Sequence, residues 1–243
     1  MPRARGAFAS PRHRLAGATP HKPVGDTPSQ FLWLPAQLSF WGNQTDGDCV
    51  TAEEAFAKAC STPEIFIPDA VVVAWATANG YLNGANLTDV LDKMQAGGFQ
   101  PGNGHTYDDG PFVSVDWTNV AVLQNAIAQG PVKIGIAADQ LENAVPEPPT
   151  NGWLATGFTT DSNEDHCVSL CGYGTIGWLA AQLGGTLPDG VDDMQPGYAL
   201  FTWDSVGVID VPSLQAICAE AWLRNPTTVI QCGRDVKSEG GRF

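Results

Sequence analysis

Residues 41–49 read WGNQTDGDC, a polar loop with two glycines that ends at the first cysteine of the chain. From Cys49 to Cys60 the apolar residues recur with helical spacing, and Asp48 stands where an N-cap would be. A thiol in the first turn of a helix is favoured as thiolate by the helix dipole. Cys49 is therefore a candidate nucleophile.

A second informative stretch covers residues 165–174 and reads DHCVSLCGYG. Its apolar residues alternate as in a strand, with His166 near the start. A cysteine that opens a helix and a histidine on a distant strand can form a nucleophile and its general base. His13, His21 and His105 lie in arm or loop sequence and offer no comparable setting.

The order of the predicted elements favours an α+β fold with an antiparallel sheet, because helices come first, strands come later and no βαβ alternation is found. The helical patterns cover residues 49–60, 68–79, 87–96 and 117–129. The strand patterns cover residues 131–137, 167–173 and 198–202, and a final helix is predicted over residues 212–222.

Residues 1–28 differ in composition from the rest of the chain. The first 25 residues hold five of the 12 basic residues and no acid, which leaves 7 basic against 26 acidic residues elsewhere. A Pro/Gly-rich basic arm cannot form its own core, so it should be disordered unless a partner chain or a groove on the body holds it. We therefore predict an arm at 1–28, one domain at 29–225 and a tail at 226–243.

Composition also restricts the function classes. An acidic body disfavours nucleic-acid binding except through the arm. No apolar run is long enough to span a membrane, and no secretory signal is recognisable, so a cytoplasmic or virion-associated protein is expected. The six cysteines contain no Cys-x-x-Cys pair, and neither a metal site nor a cofactor is predicted. Cys218 and Cys232 are the most plausible disulfide in an oxidising compartment.

Taken together, these segments resemble the papain-like cysteine peptidases over residues 39–210. The resemblance rests on the nucleophile segment 42–49, the Gly-rich segment 79–85, the helix-to-strand step 126–136 and the histidine strand 165–174. The form of the first segment looks most like divergent papain-like proteins of bacterial and phage genomes. The resemblance implies a helical subdomain packed on an antiparallel β subdomain, with the active-site cleft between them.

The resemblance also implies roles for individual residues. Cys49 would be the nucleophile and His166 the base. Asn43 stands six residues before Cys49, where the family usually has the Gln that stabilises the oxyanion, and Gln44 is the alternative amide. Further substrate contacts are implied at the positions Gln44, Gly47, Gly84, Asp165 and Trp203.

The third catalytic position departs from the family pattern. The family has Asn after the strand that follows the histidine strand, and residue-by-residue matching places Trp203 there. An indole cannot accept the ring N–H of His166. A shift of one residue brings in Asp204, which could accept it, but Asp204 is equally well explained as a turn residue.

Two functions remain open from the sequence. The first is a thiol hydrolase that acts on a peptide or protein substrate through a Cys–His acyl-enzyme mechanism. The alternative is a catalytically silent papain-like structural or binding protein, such as a phage virion component tethered through residues 1–25. The irregular third position and the basic arm favour the alternative, and the Cys49 and His166 segments favour the enzyme.

Overall fold

The computed structural model describes residues 3–225 and 227–231. The helices are α1 Arg12–Gly17, α2 Cys49–Ala59, α3 Asp69–Asn79, α4 Leu87–Gly97, α5 Val120–Gln129, α6 Asp139–Ala144, α7 Ile176–Gln182 and α8 Val211–Ile217. The strands are β1 Ala7–Phe8, β2 Phe31–Leu32, β3 Ala85–Asn86, β4 His105–Asp109, β5 Phe112–Ser114, β6 Val132–Ile136, β7 Leu154–Ala155, β8 His166–Thr175, β9 Pro196–Thr202, β10 Ser205–Asp210, β11 Cys218–Arg224 and β12 Thr227–Gln231.

The main sheet has the strand order β5-β11-β6-β8-β9-β10-β7, and β2 also pairs with β8. All of its pairings are antiparallel except the one between β10 and β7. The predicted α+β class with an antiparallel sheet is confirmed. Strand β8 lies in the middle of the sheet, between β6 and β9, so the element that carries His166 is held on both edges.

The predicted helix over residues 212–222 is wrong in its second half. Helix α8 begins after Asp210, whose carboxylate accepts a hydrogen bond from the backbone N–H of Ser213 at 2.7 Å, and it ends at Ile217. Strand β11 follows at once and pairs with β6 on one edge and β5 on the other. Partners on both edges outweigh the local helical pattern, which is a long-range effect.

Six buried charged side chains fill the space between α2 and the sheet: Glu53, Glu54, Lys58, Asp109, Lys133 and Arg224. The ammonium of Lys133 contacts Glu53 at 2.7 Å, Glu54 at 2.6 Å and the carbonyl oxygen of Val50 at 2.7 Å. Arg224 contacts Glu53 at 2.6 Å. These contacts fix the first turns of α2, and with them Cys49, against β6 and β11.

The arm lies against the body along much of its length. Strand β1 pairs in parallel with β3, and further along, Thr19 and His21 exchange backbone hydrogen bonds with Ser114. The side chain of Asn125 accepts a hydrogen bond from the backbone N–H of Val24 at 3.2 Å and donates one to the carbonyl oxygen of Val24 at 3.1 Å. The body therefore holds the arm through β1, through Thr19 and His21 and through Val24.

Other sequence predictions fall partly outside the described residues. Of the predicted tail, residues 227–231 form β12, which pairs with β4, while residues 226 and 232–243 lie outside them. Cys232 is among these, and Cys218 carries a free, buried thiol. In the described part of the chain, no helix combines the length and apolar character that crossing a bilayer requires.

Candidate active site

Cys49 is the first residue of α2 and is 2% exposed. Its sulfur lies within hydrogen-bonding reach of the backbone N–H groups of Cys167 and Gly6. Since Cys167 directly follows His166, the thiol lies beside the start of β8. Burial raises the pKa of the thiol to about 12, so Cys49 is a neutral thiol at physiological pH in this state.

The neighbouring Asp48 stands at the predicted N-cap position of α2, but its side chain does not cap the helix. Its side chain makes no capping hydrogen bond, and both carboxyl oxygens are buried without a partner. Burial, with Asp46 adding negative charge nearby, raises the pKa of Asp48 to about 8. Asp48 is therefore mostly protonated at neutral pH and opposes a thiolate at Cys49 less than a carboxylate would.

His166 is 1% exposed at the start of β8. Its ring stacks on the indole of Trp203, with 4.3 Å between centroids and 13° between planes. Its Nδ1 is buried and has no hydrogen-bond partner. Burial, with additional positive charge from Arg5 and Arg3, lowers the pKa of His166 to about 3, so the imidazole is neutral.

Thr202, rather than Asp204, supplies the hydrogen bond to His166. The hydroxyl of Thr202 lies 2.8 Å from Nε2, and Thr202 is the last residue of β9, the strand beside β8. Trp203 (φ 42) and Asp204 (φ 61) are the two residues of the turn between β9 and β10. Their left-handed backbone is typical of a two-residue hairpin, and Asp204 is therefore a turn residue here.

Thr202 was not predicted as a site residue, because threonine is common in strands and the family pattern places the third catalytic residue after the strand. The pairing of β9 with β8 could have indicated Thr202. If β9 lies beside β8, its last residue comes close to the first residue of β8. A hydroxyl at that place can bond the imidazole, and the indole of Trp203 then covers the ring.

Asn43 and Gln44 occupy different environments. Asn43 is 3% exposed, and its Nδ2 donates to the carbonyl oxygens of Asp46 at 3.0 Å and Ala4 at 3.3 Å. Gln44 is exposed. The indole N–H of Trp203 donates to the same Ala4 carbonyl at 3.1 Å. Asn43 and Trp203 thus bind one peptide carbonyl together.

The residues that fill the cleft are residues 3–8 of the arm, which we call the cleft segment. The backbone N–H of Ala85 donates to the Gly6 carbonyl at 2.8 Å, and the N–H of Ala7 donates to the Asp165 carbonyl at 3.1 Å. A Cβ placed on Gly6 would overlap the carbonyl oxygen of Gly47. Extended backbone is thus bound by main-chain hydrogen bonds directly over the thiol.

The glycines predicted to contact substrate lie against the cleft segment instead. Gly47 is packed against Gly6, and a Cβ at Gly84 (φ 115) would collide with the ring of Phe8. Both positions leave room for backbone or an aromatic ring only because they carry no side chain. The sequence analysis named a groove on the body as one way to hold the arm, but no signal in residues 1–28 placed residues 3–8 beside Cys49.

Comparison with solved structures identifies the architecture. The chain is similar to xylellain, a cysteine protease from Xylella fastidiosa, with a TM-score of 0.62 and 13% identity over 93% of this chain and 98% of that one. The fold is papain-like. Digestive procathepsin L 3 from the larval midgut of Tenebrio molitor matches with a TM-score of 0.60 and 13% identity, over 86% of this chain and 73% of that one.

The proform of the Amb a 11 cysteine protease from ragweed pollen matches with a TM-score of 0.59 and 13% identity. The match covers 84% of this chain and 66% of the proform, so the chain spans slightly less than two thirds of that protein's length. No family model matches the chain, and no curated protein matches its sequence. At this identity the similarity shows the papain-like fold, and function has to be argued from the site.

Among the described residues, no group of three or more His, Cys, Asp or Glu side chains is arranged to hold a metal ion. The reactive side chains described above are the thiol of Cys49 on α2 and the imidazole of His166 on β8. Helix α2 positions the thiol of Cys49, and strands β8 and β9 position the imidazole of His166 and the hydroxyl of Thr202.

Proposed function

We propose that the protein is a papain-like thiol hydrolase of peptide or amide bonds whose cleft is covered, in the resting chain, by its own residues 3–8. The observation that carries this proposal is the extended backbone bound over Cys49. It is held through main-chain groups of Ala85 and Asp165, which would accept any peptide of similar shape. A cleft of this kind beside a thiol and an imidazole suits a peptide substrate.

The reaction follows from the groups in the cleft. The Nδ1 of His166 takes the proton of Cys49, and the thiolate attacks the carbonyl carbon of the scissile bond. Asn43 and Trp203 hold the resulting oxyanion. The C–N bond breaks, the leaving amine takes the proton from the imidazolium, and water then hydrolyses the thioester with His166 as base.

Thr202 would orient the base during these steps. In the tautomer with hydrogen on Nε2, the ring donates to the Thr202 hydroxyl, which leaves the lone pair of Nδ1 free to accept the thiol proton. The hydroxyl is neutral, so it fixes the ring but stabilises the imidazolium less than a carboxylate would. Thr202 is thus a positioning residue for His166.

The effect of Thr202 is best measured in a chain that also carries Gly6→Ala, which is expected to displace the cleft segment and which we call the opened chain. In the opened chain, Thr202→Val is expected to lower kcat by about 10²-fold, because the ring of His166 loses its orienting partner while side-chain volume is kept. Thr202→Ser keeps the hydroxyl and should stay within a few-fold of the parent. The measurement is kcat and KM for one cleaved peptide. Equal kcat values for the Val and Ser variants would contradict a positioning role for the hydroxyl.

The cleft segment is not bound as a substrate of Cys49 would be. The thiol lies at the N–H of Gly6, in the Arg5–Gly6 peptide bond, whereas the carbonyl bound by Asn43 and Trp203 belongs to Ala4, in the preceding peptide bond. Covering also keeps both reacting groups neutral, since burial raises the pKa of Cys49 to about 12 and lowers that of His166 to about 3. The covered chain is therefore expected to be inactive without being consumed.

The alternative, a catalytically silent structural or binding protein, predicts a different result when the same cleft is uncovered. A structural or virion protein on this fold would use the arm as a permanent part of its surface, and uncovering Cys49 would bring no hydrolysis. The peptide-shaped cleft and the unpartnered Nδ1 of His166 favour the hydrolase. Both readings place the chain among papain-like folds.

The test uses the full chain with Gly6→Ala and a library of peptides derived from a proteome. This substitution is expected to expel the cleft segment, because the added Cβ overlaps the carbonyl oxygen of Gly47. New peptide termini should accumulate with Gly6→Ala and disappear when Cys49→Ala is added. The matched control is Gly17→Ala, because Gly17 also lies in the arm and an added Cβ there meets nothing within 4 Å. An opened chain with a folded body and an exposed thiol that cleaves nothing would reject the hydrolase.

A further inference from the structure

Three carboxylates meet beside the nucleophile at one point of the cleft: Asp139, Glu142 and Asp165, which we call the acidic subsite. They surround the guanidinium of Arg5, with Nη1 at 2.5 Å from Asp139 and at 2.7 Å from Asp165, and Nη2 in contact with Glu142. One cation is thus shared among three anions. With the cleft segment gone, the acidic subsite would keep three converging negative charges and no cation.

The body and the arm both position these carboxylates. Asp139 and Glu142 are three residues apart on α6, which places them on one face of the helix. Asp165 accepts a hydrogen bond at its Oδ1 from the backbone N–H of Ala138 at 3.0 Å, so the body holds this carboxylate. The carboxylate of Glu142 also accepts a hydrogen bond from the backbone N–H of Arg3 at 2.9 Å, so Arg3 and Arg5 of the arm both contact the acidic subsite.

The acidic subsite lies close to Cys49 along the cleft segment. Arg5 directly precedes Gly6, whose N–H faces the thiol, so the acidic subsite is one residue away from the reacting centre. Gly84 and Ala85 bind the cleft segment on the other side of the thiol. The resemblance to papain-like peptidases implies that the segment 79–85 lies on the acyl side, which leaves the acidic subsite on the leaving-group side. The cleft segment then runs in the opposite direction to a substrate, because Gly6 to Phe8 follow Arg5 in the chain, and only the side chain of Arg5 stands in for that of a substrate.

A second feature of the same cleft points to a missing ligand. The Nδ1 of His166 is buried and unpartnered although the cleft segment fills the space around it. The cleft segment therefore pairs all three carboxylates of the acidic subsite and contacts Cys49, Asn43 and Trp203, but it leaves the Nδ1 of His166 without a partner. Arg5 thus fills the acidic subsite while the base stays free.

We propose that the acidic subsite selects substrates with Arg or Lys directly after the scissile bond, and that Arg5 imitates that side chain in the covered state. This inference rests on the proposed hydrolase. A guanidinium or ammonium cancels the repulsion among the three carboxylates, while a neutral residue leaves them unpaired and an acidic one adds to the repulsion. Selectivity on the leaving-group side would thus be set by charge rather than by shape.

The test varies one residue of an internally quenched peptide, chosen from the peptides that the Gly6→Ala chain cleaves. With Arg, Lys, norleucine or Glu after the scissile bond, kcat/KM should be at least about 10-fold higher for Arg and Lys than for norleucine, and lowest for Glu. Asp139→Asn with Glu142→Gln should reduce the ratio to near one. Asp189→Asn, an exposed carboxylate in the loop between α7 and β9, is the matched control and should leave the ratio unchanged.

A binding measurement separates this inference from the hydrolase proposal. The probe is a labelled peptide with the sequence of residues 3–10, offered to the Gly6→Ala, Cys49→Ala chain. It should bind at least about 10-fold more tightly than the same peptide with norleucine in place of Arg5. If the Gly6→Ala chain is poorly folded, Arg3→Ala with Arg5→Ala opens the cleft by removing ion pairs instead.

The outcomes distinguish the two proposals. Cleavage without any preference for a basic residue overturns the acidic subsite and leaves the hydrolase standing. Preferential binding of the Arg peptide without cleavage rejects the hydrolase and supports the acidic subsite as a binding site for basic side chains. Neither cleavage nor preference overturns both.

Discussion

The Gly6→Ala chain is expected to be alkylated by iodoacetamide at Cys49 on the order of 10³-fold faster than the wild type at pH 7.5. The added Cβ overlaps the carbonyl oxygen of Gly47, and Gly47 is itself closely packed against backbone atoms of Arg5 and Leu82. Backbone contacts cannot yield as a flexible side chain can, so the cleft segment should leave.

The size of the effect follows from the thiol. In the covered chain the pKa of Cys49 is about 12, and an exposed thiol has a pKa of about 8.5, so the thiolate fraction at pH 7.5 rises by on the order of 10³. Site-resolved mass spectrometry of the labelled chain gives the rate. Gly17→Ala should label like the wild type. Equal labelling rates in Gly6→Ala and wild type, with the arm equally protected from hydrogen exchange in both, would show that the cleft segment does not control access to Cys49.

Replacing Lys133 by Ala is expected to lower the free energy of unfolding by about 3–5 kcal/mol, since it leaves buried carboxylates without their cation. Lys133 contacts both Glu53 and Glu54, and none of the three side chains is more than 1% exposed. Chemical denaturation measures the loss. Lys93→Ala, an exposed lysine on α4, serves as the control and should change stability by less than about 0.5 kcal/mol.

A decrease of less than about 1 kcal/mol in the free energy of unfolding for Lys133→Ala would contradict the view that the buried ion pairs of Lys133 and Arg224 with Glu53 and Glu54 hold α2 on the sheet. The network matters for function because the carbonyl oxygen of Val50, one residue after Cys49, also accepts from Lys133 at 2.7 Å. The same lysine that compensates the buried carboxylates therefore fixes the first turn of α2, on which the nucleophile lies.

Much of the fold could be predicted from local patterns. The helix from Cys49 and the strand that carries His166 follow from apolar periodicity, and the order of helices and strands predicted the α+β class. The end of the last helix and the start of β11 could not be predicted from local patterns. β11 forms a strand because it pairs with β5 on one edge and with β6 on the other, and such long-range pairing cannot be read from the local sequence.

The candidate site was less accessible from sequence. The segments around Cys49 and His166 drew attention to both residues, and in the structure Cys49 lies beside Cys167, the residue after His166. Thr202 was missed because its role depends on the register between β8 and β9. The placement of residues 3–8 depends on ion pairs to Asp139, Glu142 and Asp165, which are more than 130 residues away in the chain.

The most direct test of the central claim is the pH dependence of Cys49 alkylation in the opened chain, with and without His166. In Gly6→Ala the rate should follow a thiol with a pKa below about 8.5, because the imidazolium of His166 stabilises the thiolate. Adding His166→Ala should move that pKa upward to about 8.5 or higher and slow the reaction at pH 6. Identical pH profiles with and without His166 would contradict a Cys–His pair and leave the cleft without a catalytic base.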